Sequence, residues 1–117
     1  MENKQKNPVV IEVETEYPET TNEYKRIMWE QYELFCRKQS NYGPNNISLG
    51  TTLEKMEDRK MSQMGIWFRM NDKIQRFKQM VFFDKTDNVG EPLKDTYQDL
   101  SVYGIICQIV SSGVWGK

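Results

Sequence analysis

Apolar positions recur at helical spacing along most of this chain. Between residues 62 and 83, Trp67, Met70, Ile74, Phe77 and Val81 follow one another at intervals of 3, 4, 3 and 4, which predicts a helix with one apolar stripe turned to the core. Upstream, Tyr24, Ile27, Met28, Gln31, Leu34 and Phe35 outline a helix over 20–40. Thr20, Thr21 and Asn22 are its cap candidates, because their side-chain oxygens can accept first-turn N–H groups. The turn-rich run Asn41-Tyr42-Gly43-Pro44-Asn45-Asn46 ends it. Thr51-Thr52-Leu53-Glu54 reads as a capping box opening a short charged helix to about Lys60.

After a polar loop from Asp84 to Gly90, Glu91-Pro92 marks a helix start and Gly113 a helix stop, giving a helix over 92–111. This last helix carries two stripes. Leu93, Tyr97, Leu100, Gly104 and Cys107 line one side, and Asp95, Asp99, Val102, Ile106 and Ile109 line nearly the opposite one. Asp95 and Asp99 therefore continue a buried line and are expected to point into the mouth of the bundle. Residues 1–19 are polar and acidic around Pro8-Val9-Val10-Ile11, where Ile11 and Val13 alternate with Glu12 and Glu14, a pattern for a short strand or an extended arm. The expected architecture is an N-terminal arm over 1–19 and one all-α domain over 20–117, a small bundle of three main helices and a short one.

Composition narrows the chemistry. The chain has 117 residues, room for one small domain. Lys+Arg number 16 against 17 Asp+Glu, so there is no basic surplus to neutralise a long nucleic acid. The N-terminus lacks the apolar run of a signal peptide and no window suits a membrane span, which makes a cytoplasmic protein the expectation. There is no histidine, so Ser-His-Asp and Cys-His nucleophile systems and histidine-held zinc are excluded. Cys36 and Cys107 stand far apart without metal-site spacing and read as reduced core thiols.

Three clusters could carry function. Asp95 and Asp99, at i and i+4, project from one helical face about 6 Å apart. Such a pair suits Mg²⁺, or is simply an acidic first turn favoured by the helix dipole. Arg69, Asp72, Lys73 and Arg76 span roughly 100° of one helix. They form either a phosphate clamp or an exposed face laced by its own ion pairs. Glu33 lies beside the line of Trp29, Tyr32 and Cys36 and is the better candidate for a buried carboxylate, with Glu30 turned to solvent. The chain has neither a Gly-rich phosphate loop nor a dinucleotide fingerprint.

Three stretches together carry a resemblance. They are Lys38-Gln39-Ser40-Asn41-Tyr42-Gly43, the run from Gly65 to Arg76 with its R-x-x-D-K-x-x-R block, and the run from Leu93 to Gly104 with its D-T-x-x-D-L-x-x-Y block. Over about residues 23–110 the chain resembles the phage-associated nucleotide modification associated domain family. More distantly it is similar to MazG-type all-α nucleotide pyrophosphohydrolases. The resemblance implies a small nucleotide ligand. It further implies Mg²⁺ held by carboxylates on successive helices, here Asp72, Asp95 and Asp99, with Glu33, Asp72 and Asp99 as the catalytic set. Arg69, Lys73 and Arg76 would hold phosphate, and Lys38, Tyr42, Asn45 and Tyr103 would lie near the base or sugar. The chain departs from the MazG pattern in its last acidic pair, D-x-x-x-D instead of E-x-x-D, and in having one aspartate amid cations on the middle helix.

Three functions are therefore expected in turn: Mg²⁺-dependent hydrolysis or processing of a (deoxy)nucleoside phosphate, non-catalytic sequestration of a nucleotide signal used in host defence, and an interaction module with solvated polar faces. The two-sided last helix also predicts a homo-oligomer, most simply a two-fold dimer.

Overall fold

The computed structural model describes residues 7–117 and is all-α, with no strand among the described residues. Its elements are α1 (Pro8–Glu16), α2 (Pro18–Tyr42), α3 (Asn45–Ser48), α4 (Met56–Phe77), a π-helical turn (Lys78–Phe82) that continues α4, and α5 (Leu93–Ser112). The chain divides into two compact units, one up to Cys36 and one from Arg37 onward.

The first unit corrects the expected arm. Residues 8–16 form a helix, not an extended segment: Asn7 Oδ1 accepts the Val9 N–H at 2.8 Å, and Pro8 occupies a first-turn position where its missing N–H costs nothing. Residues 1–6 of the expected arm lie outside the described residues. Tyr17 breaks the helix, since the residue before a proline is pushed out of helical geometry, and Pro18 opens α2. The expected Thr20-Thr21-Asn22 cap is thus already helix, and the Thr21 hydroxyl donates back to the Tyr17 carbonyl at 3.1 Å. Lys25 Nζ meets Glu14 Oε2 at 2.8 Å and ties α2 to α1.

In the second unit, Gly43 ends α2 with φ +67° and donates its N–H to the Gln39 carbonyl at 2.9 Å. The capping-box residues do not start a helix. The Thr51 hydroxyl instead donates to the Ser48 carbonyl at 2.9 Å and accepts the Leu53 N–H at 3.2 Å, making a turn that delivers Leu53 to the core. Helix α4 begins only at Met56, after an extended Lys55, with Glu57 and Asp58 favourably placed in its first turn. Helix α5 matches its sequence expectation closely and stops at Gly113, whose φ of +82° suits glycine.

The core lies where α3, α4, α5 and the C-terminal turn meet, and is built from Ile47, Leu53, Ile66, Ile106, Val110 and Trp115. Polar groups inside it stitch the elements together. The Ser62 hydroxyl donates to the Ile47 carbonyl at 2.7 Å, Arg59 Nε to the Leu53 carbonyl at 2.6 Å, and Trp115 Nε1 to the Pro44 carbonyl at 3.0 Å. Buried carbonyls that would otherwise lose water without compensation are satisfied this way. Contacts of Lys73 with Asp99 and of Arg76 with Glu91 show that α4 and α5 run antiparallel.

Two burial expectations are overturned. Trp67, Ile74 and Val81 are exposed, by 59%, 49% and 40%, and the buried residues of α4 are Ser62 and Ile66. Helix α4 is apolar on both sides, and α5 covers only one of them. Cys36 is exposed and Cys107 half-buried, so the two thiols are not a matched core pair.

Candidate functional site

Arg69, Lys73 and Arg76 of α4 are each engaged, and their partners lie outside the helix. Lys73 Nζ lies 2.8 Å from Glu91 Oε1 and 3.0 Å from Asp99 Oδ2. Arg76 Nη2 lies 3.2 Å from Asp87 Oδ1 and also donates to the Glu91 carbonyl. Arg76 Nε stands 3.2 Å from Glu91 Oε2 but off the line of a hydrogen bond. The two oxygens of one carboxylate, Glu91, therefore bridge two cations. Arg69 Nη2 donates to the Asn46 carbonyl at 3.0 Å, extending the cationic row to the start of α3.

Local sequence explains each placement. Residues 69, 73 and 76 follow at i, i+4 and i+7, and so share a face of α4 close to the buried line of Ser62 and Ile66. Asp87 is set by a tight turn in which its Oδ1 accepts the Val89 and Gly90 N–H groups, each at 3.1 Å. Those bonds, first the Val89 N–H and then the Arg76 guanidinium, hold the Asp87 carboxyl below its ordinary range. Lys73 is held above the usual ammonium value, chiefly by Glu91 and then by Asp99, with partial burial opposing.

The expected acidic residues have different surroundings. Asp99 is half-buried, as its stripe predicted, but it is bound to Lys73. Asp95 is exposed instead of facing the bundle mouth, and Asp72 is exposed on the outer edge of α4. Glu33, the expected buried carboxylate, is exposed on the part of α2 that belongs to the first unit, whereas Glu30 is the more shielded of the two and pairs with Arg26 at 2.8 Å. Helix α2 has no buried residue at all, so its apolar periodicity marks no inner face on which Glu33 could be buried. Among the described residues no three acidic or thiol side chains converge as a metal-holding group.

Of the residues expected near a base or sugar, Lys38, Tyr42 and Asn45 are exposed around the α2–α3 turn and Tyr103 is half-buried on α5. Glu91 and Asp87 were missed by sequence reasoning. Their partnerships reach well beyond one helical turn, from Arg76 with Asp87 to Lys73 with Glu91 18 residues away, and no local spacing rule reaches that far. The available signal was coarser: an acidic loop joining two antiparallel helices, the first of which carries unpaired-looking cations.

No helix among the described residues is long and apolar enough to cross a membrane. No family model, curated protein or solved structure matches the chain.

Proposed function

We propose that this protein binds a small nucleotide without consuming it, the phosphates taking the place that Glu91 holds between Lys73 and Arg76. The observation that supports this reading is the bridging carboxylate itself: Oε1 lies at 2.8 Å from Lys73 and Oε2 at 3.2 Å from Arg76. A phosphate offers the same paired oxygens at higher charge, and arginine and lysine are its usual partners. Exchange of one anion for another leaves neither cation unpaired. Arg69 supplies a third positive charge further along α4, and the resemblance to nucleotide-processing families points to the same ligand class. Sequestration is favoured over hydrolysis because Asp99, the central carboxylate of the expected catalytic set, is committed to Lys73. Action as a homo-oligomer belongs to this reading.

Calorimetry with a panel of nucleoside phosphates, with and without Mg²⁺, tests it. The expected result is binding that does not require Mg²⁺, weakens with salt, and yields intact ligand after denaturation. Glu91→Gln removes the competing charge and should tighten binding by about tenfold, while Lys73→Met should abolish it. Absence of heat with every nucleotide would overturn the reading. Release of phosphate or pyrophosphate with Mg²⁺, lost in Asp99→Asn, would establish hydrolysis in its place.

A further inference from the structure

We infer that the outer face of α4 is a self-association surface on which a second copy of this chain packs antiparallel, its two-fold axis passing between Trp67 and Phe68. This proposal rests on the reading of the chain as a homo-oligomer and assigns the face that performs it.

Opposite the buried line of Ser62 and Ile66, α4 presents Met61, Met64, Trp67, Phe68 and Ile74, exposed by 57%, 46%, 59%, 61% and 49%. A helix apolar on two opposite sides is one that is covered on both. The rings of Trp67 and Phe68 already meet edge to face, with centroids 5.4 Å apart, and form a central plate. Along this face lie Glu57, Met64, Asn71 and Lys78 on one line, Lys60, Trp67 and Ile74 on the next, with Met61, Phe68 and Gln75 beside them, so that the apolar side chains sit in the middle turns and the charged ones toward the ends.

The occupant follows from the order of residues along the face, which is complementary to its own reverse. With the axis between Trp67 and Phe68, Trp67 faces Phe68 of the second copy, Met61 faces Ile74, and Met64 faces Asn71. At each end the exposed Glu57 then faces the exposed Lys78 of the second copy, whose ammonium in the single chain lies 5.8 Å from the Phe83 ring. Both ends are satisfied at once, as a two-fold contact requires. A parallel pairing would set Glu57 against Glu57 and Lys78 against Lys78, which electrostatics disfavours. Within one chain these two residues stand about 32 Å apart along the helix and cannot meet.

Sedimentation and light scattering of the full chain test the proposal. A concentration-dependent dimer is expected, and Glu57→Lys or Lys78→Glu alone should each raise its Kd by about tenfold. The double variant Glu57→Lys/Lys78→Glu should restore it, which only an antiparallel second copy can do. Trp67→Glu should raise the Kd on the order of a hundredfold with helical circular dichroism unchanged. The charge variants keep the test decisive should Trp67→Glu impair folding. A chain monomeric at every concentration overturns both this face and the homo-oligomer reading. A dimer indifferent to these substitutions, or single reversals that the double variant does not repair, overturns this face alone.

Discussion

Lys73 on α4 reaches Asp99 on α5 at 3.0 Å, and about a quarter of each side chain is exposed. An ion pair at this depth lies between two regimes. Surface pairs contribute little, while breaking a buried pair leaves a charge without compensation. Because Glu91 also bears on Lys73, loss of the lysine would leave two carboxylates facing a site that has lost one of its two cations.

Lys73→Met is therefore expected to destabilise the fold by about 1–2 kcal/mol, and Asp99→Asn by about 1 kcal/mol. Urea denaturation of both single variants and the double variant measures this. A double variant whose loss is the plain sum of the two single losses would show that the pair is uncoupled.

The same network defines a pH window. Lys73 is raised in the folded state above its ordinary 10.5, so its contribution is complete below 10.5 and is lost as pH rises through the folded value. Asp87 is lowered below its ordinary 3.8, so its contribution is present above 3.8 and is lost as pH falls through the folded value. The 84–92 loop should accordingly stay attached between these limits. In an NMR titration the Val89 and Gly90 amides, which bond to Asp87, should shift below pH 3.8, and Asp87→Asn should remove that transition.

Thr96 is fully buried on α5, and its hydroxyl has no hydrogen-bond partner. A buried hydroxyl left unbonded costs more than a methyl group of the same size. Thr96→Val should raise stability by about 1 kcal/mol, seen as a higher urea midpoint at unchanged slope. Loss of stability would show that the hydroxyl is bonded in solution.

The two thiols should differ in reactivity. Cys36 is exposed, while Cys107 is half-buried and burial pushes its pKa up, leaving less of the reactive thiolate. A colorimetric thiol reagent at pH 8 should titrate Cys36 quickly in the native protein and Cys107 only slowly. Equal rates, or a single phase lost in Cys107→Ser, would contradict the structure.

What could be read from the sequence was what neighbours along the chain decide. The existence of α2, α4 and α5 follows from apolar periodicity, and the end of α2 and both ends of α5 from Gly43, Pro92 and Gly113, because helix propagation and termination act over a few residues; the start of α4 at Met56 was not read. Even local rules failed where two signals competed, as at Thr51, whose hydroxyl served a turn and not a cap. Two matters were left to the tertiary structure. One is which side of a two-sided helix is covered: periodicity marks Trp67 and Ile74 as apolar without saying what covers them, and α5 packs against the other side. The other is the pairing of Lys73 and Arg76 with Asp87, Glu91 and Asp99, since an ion pair depends on distance in space, and only the antiparallel return of the chain through the 84–92 loop brings those charges together.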